Sequence, residues 1–315
     1  MPSTHLNDKS ADLGCRVVWW FTDGKPGHEN QGRGLIRALG NHFTLTIHEI
    51  PATAVRLPWL QWLTSRFSAG EGLPSPDYII GAGHATHLPM LAARRARGGR
   101  VVVLMKPSLP ISLFDLAIVP KHDGLAASET VLLTHGVLNN VVSGAARDLD
   151  KGLILIGGPS KNYGWSDDQM LAQVFEIVTS APGVNWVLTS SRRTPSVFLP
   201  LLRSRELENL EVLSHEQTGS DWLPQQLTCA DRVWVSEDSV SMVYEALTSG
   251  SPVGLLSVPQ LVEGRVSVGI GALKKCGMVT GYSAWQECGT LRENSDPFNE
   301  AERCAEWIFS KWSCK

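Results

Sequence analysis

Short, continuously apolar runs alternate with helix-patterned stretches along nearly the whole chain. In the first half the runs are Arg16–Phe21, Phe43–His48, Tyr78–Ile80, Val101–Met105, Leu116–Val119 and Val131–Leu133. In the second half they are Leu153–Ile156, Trp186–Leu188, Glu211–Leu213, Val233–Val235 and Val253–Leu256. A strand that is apolar at successive positions is buried on both faces, and such strands separated by helices build parallel sheets covered on both sides. The class predicted is α/β.

A chain of 315 residues exceeds one ordinary domain. Two runs of strands of similar size predict two Rossmann-like domains facing a cleft, residues 1–148 and 149–315. The small-residue, polar stretch Gly144–Asp150 is the linker candidate, and a last helix at about Asn299–Trp312 is placed to pack back on the first domain. Ser166 and Gln169 form a capping box opening Asp167–Ser180, and Thr194 before Pro195 reads as an N-cap with proline at the first helical position.

The formal net charge of −3 supplies no basic stripe for nucleic acid. No stretch approaches the ~20 apolar residues of a membrane span. Met1–Gly14 is polar, and no cysteine pair has CxxC spacing, so a soluble cytoplasmic protein with free thiols is expected. Eleven tryptophans are many. Trp59 and Trp62 lie with Leu57, Leu60, Leu63 and Phe67 in an amphipathic segment, Val55–Phe67. A core-facing helix is the first expectation there. A membrane-surface helix carrying Arg56 and Arg66, peripheral at the inner face of the membrane, is the alternative.

Ligands of open parallel sheets bind at the carboxyl ends of the strands. The first such end reads Thr22-Asp23-Gly24-Lys25-Pro26-Gly27-His28, where His28 and Asp23 are candidates for deprotonating a hydroxyl, with Lys25 beside them. The later ends of this half carry His84 and Thr86, then Lys106, then His122 and Asp123, then Asn139, all candidate cleft or acceptor residues. His84 and His87 lack a third nearby ligand, so no metal is assigned. No cofactor is assigned either.

Three turns in the second half favour anions. Gly157 and Gly158 can cup a phosphate, with Ser160 and Lys161 as donors, although Asp167 and Asp168 oppose an anion at the following helix. Arg192 and Arg193 offer forks suited to a diphosphate. Asp238 can cap the helix after the fourth run, Ser239 can take a phosphate, and Asp238, Ser241 and Glu245 share one face, where Glu245 can accept from a ribose diol. The ligand predicted is a nucleotide.

Taken together, Thr22-Asp-Gly-Lys-Pro-Gly-His28-Glu-Asn-Gln31, Gly81-Ala-Gly-His84-Ala-Thr86, Lys106-Pro107-Ser108, Phe114-Asp115 with Pro120-Lys-His122-Asp123, and Thr134-His-Gly136 form a specific set. Gly157-Gly158-Pro-Ser160-Lys161, Ser191-Arg192-Arg193-Thr194-Pro195 and Ser236-Glu-Asp238-Ser239-Val-Ser241-Met complete it. With these motifs the chain, over about residues 16 to 280, resembles the mitochondrial-fission factor family first known from plants, whose bacterial members are often labelled predicted nucleoside-diphosphate-sugar epimerases.

That family is similar in turn to GT-B glycosyltransferases. The resemblance implies a nucleoside-diphosphate sugar, UDP-type favoured, and a hydroxyl acceptor in a lipid or at the cell surface; arginine and helix termini can carry the charge of the leaving diphosphate, so metal-independent transfer is expected. In the branch that transfers N-acetylglucosamine to lipid carriers, a histidine ends the first turn and a glutamate on a later helix holds ribose. His28 and Glu245 match these two roles by position. An epimerase or hydrolase using His84, His122 and Asp123, and a non-catalytic adaptor binding a membrane or partner, are the alternatives.

Overall fold

The computed structural model describes residues 14–143, 147–219, 221–293 and 298–313. The chain divides into two compact units, one formed up to Leu138 and again from Ala301 onward, the other by Asn139–Glu300.

In the first unit the order is β1 (Cys15–Thr22), α1 (Pro26–Leu39), β2 (Thr44–Pro51), α2 (Pro58–Thr64), β3 (Tyr78–Ala82), α3 (His84–Arg97), β4 (Arg100–Leu104), β5 (Leu116–Pro120) and β6 (Val131–Thr134). The six strands form one sheet, order β2-β1-β3-β4-β5-β6, parallel at every pairing. Side chains alternate between faces along a strand, and both faces here are packed. Val18 and Trp20 join Leu35 and Leu39 of α1 on one side. Trp19 and Phe21 join Phe67 and Met90 on the other.

The second unit runs β7 (Asp148–Leu155), α4 (Asp167–Ser180), β8 (Asn185–Thr189), α5 (Phe198–Arg203), β9 (Leu210–Leu213), α6 (Trp222–Cys229), β10 (Ala230–Ser236), α7 (Val240–Ser249), β11 (Val253–Leu256), α8 (Arg265–Lys275), β12 (Thr280–Gly281) and α9 (Tyr282–Cys288). Its sheet is again six parallel strands, order β12-β11-β10-β7-β8-β9. Ile154 and Ile156 pack with α4, and Leu153 and Leu155 pack with α7. These are two Rossmann-like layers, as the apolar runs predict.

The last helix, α10 (Glu300–Trp312), buries Ala301, Cys304, Ala305 and Ile308 in the core of the first unit. Trp312 stacks on Tyr78 at 5.9 Å between centroids, with the Arg100 guanidinium 4.6 Å from the Trp312 ring. Glu302 accepts from Asn41 at 2.8 Å and contacts His42 Nε2 at 2.9 Å. One chain terminus is thereby tied to the unit that holds β1.

Three local expectations differ from the structure. Thr194-Pro195 opens no helix; α5 starts at Phe198, because the Thr194 hydroxyl instead donates to the carbonyl of Gly157 at 2.5 Å. Of the linker candidate Gly144–Asp150, residues 144–146 lie outside the described residues, and Asp148–Asp150 already belong to β7. The Trp59/Trp62 helix faces no core: α2 has no buried residue, and only its flanks, Val55 and Phe67, are buried. Among the described residues no helix is long and apolar enough to cross a membrane.

Candidate functional site

Each sheet gathers its polar turns at the carboxyl ends of its strands, and each edge is built separately. In the first unit β1 ends at Thr22 and Pro26 starts α1, so only three residues separate strand from helix. The tight connection puts His28 in the first helical turn and folds its ring back over Asp23. His28 Nδ1 lies 2.8 Å from Asp23 Oδ2, and the Asp23 side chain is only 2% exposed. The other carboxylate oxygen accepts from the Lys25 backbone N–H at 3.2 Å. Lys25 Nζ stands 3.8 Å from the same carboxylate with its side chain in solvent. A buried carboxylate on Nδ1 fixes the proton there and leaves Nε2 as the basic nitrogen.

Gly83 closes this pair from the neighbouring strand. Its φ is +88°, and a β-carbon there would collide with the His28 ring and with Asp23 Oδ2. The glycine of the Gly81-Ala82-Gly83-His84 turn is therefore a requirement of the Asp23–His28 pair as well as of the turn.

Beyond Gly83, His84 Nδ1 lies 2.5 Å from Ser108 Oγ, and His87 Nδ1 lies 3.2 Å from the same oxygen. His87 is buried against Phe114, and burial, helped by the nearby His84, pulls its pKa down to about 4. Its imidazole is neutral at physiological pH. Thr86, expected to be a cleft residue, is instead fully buried, and its hydroxyl donates to the carbonyl of Gly83 at 2.8 Å. Lys106 Nζ donates to the Asp123 carbonyl at 3.4 Å, and His122 Nε2 lies 3.9 Å from Asp123 Oδ1. Asn139 belongs to the second unit. Its side chain is committed there, donating to Thr248 Oγ1 at 2.9 Å and accepting from Val141 N–H at 3.0 Å.

In the second unit the turns after β7, β8 and β10 interlock. The N–H of Gly157 donates to Ser236 Oγ at 2.7 Å, and that of Gly158 to Asp238 Oδ2 at 3.0 Å. Ser191 donates to the Gly157 carbonyl at 3.0 Å. The Asp238 carboxylate lies against Gly157 and the Arg193 carbonyl against Gly158, so closely that a β-carbon at either glycine would overlap them. The double glycine thus packs three turns together. Asp238 does not cap α7, as expected from its position; Ser239 is the N-cap residue, without a side-chain cap, and Asp238 turns toward Gly158 and Arg193.

Arg193 is also committed internally. One terminal nitrogen donates to the Gly158 carbonyl at 2.6 Å and the other to Asp238 Oδ2 at 2.7 Å. Asp238 Oδ1 is buried without a hydrogen-bond partner among the described residues. Arg192, Lys161 and Ser241 are exposed, and Glu245 is half-buried in the second turn of α7. Ser160 Oγ accepts from Asn162 and Tyr163 N–H at 3.3 and 3.2 Å. Burial raises the Tyr163 hydroxyl to about 12, with Glu237 and Asp238 adding to the shift. Glu237 in turn accepts from Lys274 Nζ at 2.5 Å and Val258 N–H at 3.1 Å.

The turns are legible in the sequence, but several side chains that hold them together are not among the candidate site residues. Ser108 and His87 frame His84, while Ser191, Thr194 and Ser236 tie down Gly157. Their signal was present: each hydroxyl or imidazole lies within a motif already marked as a strand-end turn. Among the described residues no three His, Cys, Asp or Glu side chains group as metal ligands would.

Comparison with known proteins gives three findings. A protein-family model described as mitochondrial fission ELM1 matches residues 26–312. An uncharacterized protein of Rickettsia prowazekii (strain Madrid E) is 22% identical over an alignment covering 92% of this chain and 97% of its own. Among solved structures, a protein from Listeria monocytogenes proposed to be a UDP-N-acetylglucosamine 2-epimerase aligns at TM-score 0.58 and 15% identity, covering 96% of this chain and 98% of that one. The UDP-GlcNAc 2-epimerase from Neisseria meningitidis, bound to UDP-GlcNAc, aligns at TM-score 0.56 and 12% identity, covering 96% of this chain and 100% of that one. At these identities the structural likeness is one of fold, two Rossmann-like domains of GT-B type.

Proposed function

We propose that this chain, which belongs to the mitochondrial fission ELM1 family, binds a nucleoside-diphosphate sugar at the carboxyl edge of its second sheet and transfers the sugar to a hydroxyl acceptor. The observation that carries the reading is the Asp23–His28 pair at 2.8 Å, a base oriented by a buried carboxylate at a strand end. A purely structural turn has no need of such a base. The solved UDP-GlcNAc complex of a protein with the same fold favours a UDP-type donor.

In this reading His28 Nε2 takes the proton of the acceptor hydroxyl. The acceptor oxygen forms the new bond to the anomeric carbon as the bond from that carbon to the diphosphate oxygen breaks. The leaving diphosphate carries the electron pair and is stabilised by cationic and N–H donors. Arg193 is held by Asp238, so Arg192, Lys161 and the Ser239 hydroxyl are the donors left to meet it. Glu245 takes the ribose hydroxyls. The lone buried oxygen of Asp238 disfavours a phosphate directly over Gly157, so in this reading Ser239 and Arg192 are its contacts.

The test is a panel of nucleotides in thermal denaturation, followed by UDP release from UDP-sugars in wild type and His28→Ala. Stabilisation by UDP, and release lost in the variant with UDP binding intact, support the reading. Full release in the variant contradicts it.

A second reading, epimerisation or hydrolysis of the same donor, is favoured by one observation. His84, held on Ser108, supplies a second imidazole at the carboxyl edge of the sheet whose first strand leads to His28. An epimerase needs two proton-transfer groups where a transferase needs one. Conversion of the UDP-sugar to its epimer with no acceptor present would select it.

A further inference from the structure

Helix α2 carries an apolar surface that neither core nor candidate site accounts for. Leu57, Trp59, Leu60, Trp62 and Leu63 are 57%, 53%, 41%, 38% and 58% exposed, all within seven residues of chain. Scattered exposed leucines are ordinary, whereas a contiguous patch with two tryptophans marks a contact surface. The patch is held in place. Val55 and Phe67 on its flanks are buried, and Phe67 stacks on Trp19 at 5.5 Å. Gln61 ties the helix to its own ends, donating to the Arg56 carbonyl at 2.7 Å and accepting from Ser68 N–H at 3.1 Å. Leu57 and Ser65, which bound the helix, both have left-handed backbone, φ 47° and 53°. For a bulky leucine that conformation is unfavourable, so the outward display of its side chain is kept against local preference.

The charge around the patch has one sign. Arg56 and Arg66 flank the helix, and Arg95 of α3 lies over the Trp62 ring at 5.1 Å. None of the three forms an ion pair among the described residues. No carboxylate occurs between Glu49 and Glu71. Tryptophan with arginine around an apolar face is the chemistry of the membrane–water interface, where indoles sit at headgroup level and guanidinium groups meet lipid phosphate. A second copy of this chain would fit poorly, because a two-fold contact would bring the same arginines together.

We propose that the α2 face is a docking surface for an anionic lipid bilayer, with Trp59, Trp62 and the leucines entering the interface and Arg56, Arg66 and Arg95 meeting the headgroups. The inference is independent of sugar transfer, since binding to vesicles is read without any turnover.

The test is flotation of the full chain with vesicles of phosphatidylcholine alone and of phosphatidylcholine containing about one-third phosphatidylglycerol, at low and high salt. The wild type is expected on the anionic vesicles at low salt, with less bound at high salt and little on phosphatidylcholine alone. Trp59→Ser with Trp62→Ser should lower the partition coefficient about tenfold or more. Arg56→Gln and Arg66→Gln should each lower it about fivefold. None of these side chains is buried in a core, so the variants should stay folded with melting temperatures close to wild type, which serves as the folding control. No binding of wild type to anionic vesicles overturns the proposal, as does equal binding by the tryptophan variant. So does a wild-type dimer in sedimentation that the tryptophan variant abolishes while vesicles retain neither protein.

Discussion

Arg193 and Asp238 form an ion pair of 2.7 Å in which the carboxylate side chain has no exposed surface. The pair sits on the edge where a diphosphate would be expected to find both arginines of the Arg192-Arg193 turn. Only one is left for a ligand. Arg193 instead neutralises a carboxylate that orders Gly158, and its other nitrogen holds the Gly158 carbonyl.

Removing Arg193 strands a buried charge. Arg193→Ala should destabilise the chain by about 1–3 kcal/mol, less than for a fully buried pair because the arginine side chain is 39% exposed. Adding Asp238→Asn should recover part of the loss. Urea unfolding of the two single variants and the double variant gives the coupling; additive losses would contradict the account.

The two glycines of the turn should tolerate no side chain. At Gly158 a β-carbon meets the backbone carbonyl of Arg193, and at Gly157 it meets the Asp238 side chain. Either alanine substitution should cost about 1–3 kcal/mol, with Gly158→Ala the worse because backbone yields less readily. Gly183, in the loop before β8, has open space around it, and Gly183→Ala should leave the unfolding midpoint unchanged.

His87 makes stability depend on pH. Its folded pKa, about 4, lies below the ordinary value of 6.5, so between these values the unfolded chain binds more protons than the folded one. Stability therefore rises with pH through this window and is lost as the pH falls. The contribution of His87 should fall by about 2 kcal/mol between pH 7 and pH 5. His87→Gln should remove that part of the slope, as read from urea midpoints at the two pH values.

Asp23 should act through His28. His28→Ala is expected to lower turnover about 10²- to 10⁴-fold with UDP affinity unchanged. Asp23→Asn should lower kcat and shift its pH profile with little change in KM, because only the orientation and basicity of the imidazole are altered.

Much of the fold was legible because apolar strands buried on both faces leave an unbroken signature. Trp19-Trp20 shows it directly, one ring entering each layer beside the first sheet. The two-residue strand β12, Thr280–Gly281, carries no such signature and was missed. The site turns were legible as motifs. What their side chains do was not, because Arg193, Thr194 and Asp238 place their hydrogen bonds on neighbouring turns that are distant in sequence. The α2 helix misled for another reason. Helical spacing of apolar residues reports a common face, and whether that face meets a core depends on tertiary packing.

Isothermal titration and thermal denaturation with UDP and with AMP test the central claim most directly. A second-sheet edge built for a nucleoside diphosphate should gain about 2.7 kcal/mol of stability at UDP about 100-fold above its Kd. The same concentration of AMP should give far less, and Arg192→Ala should weaken UDP binding at least about tenfold. An absent UDP response, or an Arg192→Ala variant that binds UDP as tightly as wild type, would contradict it.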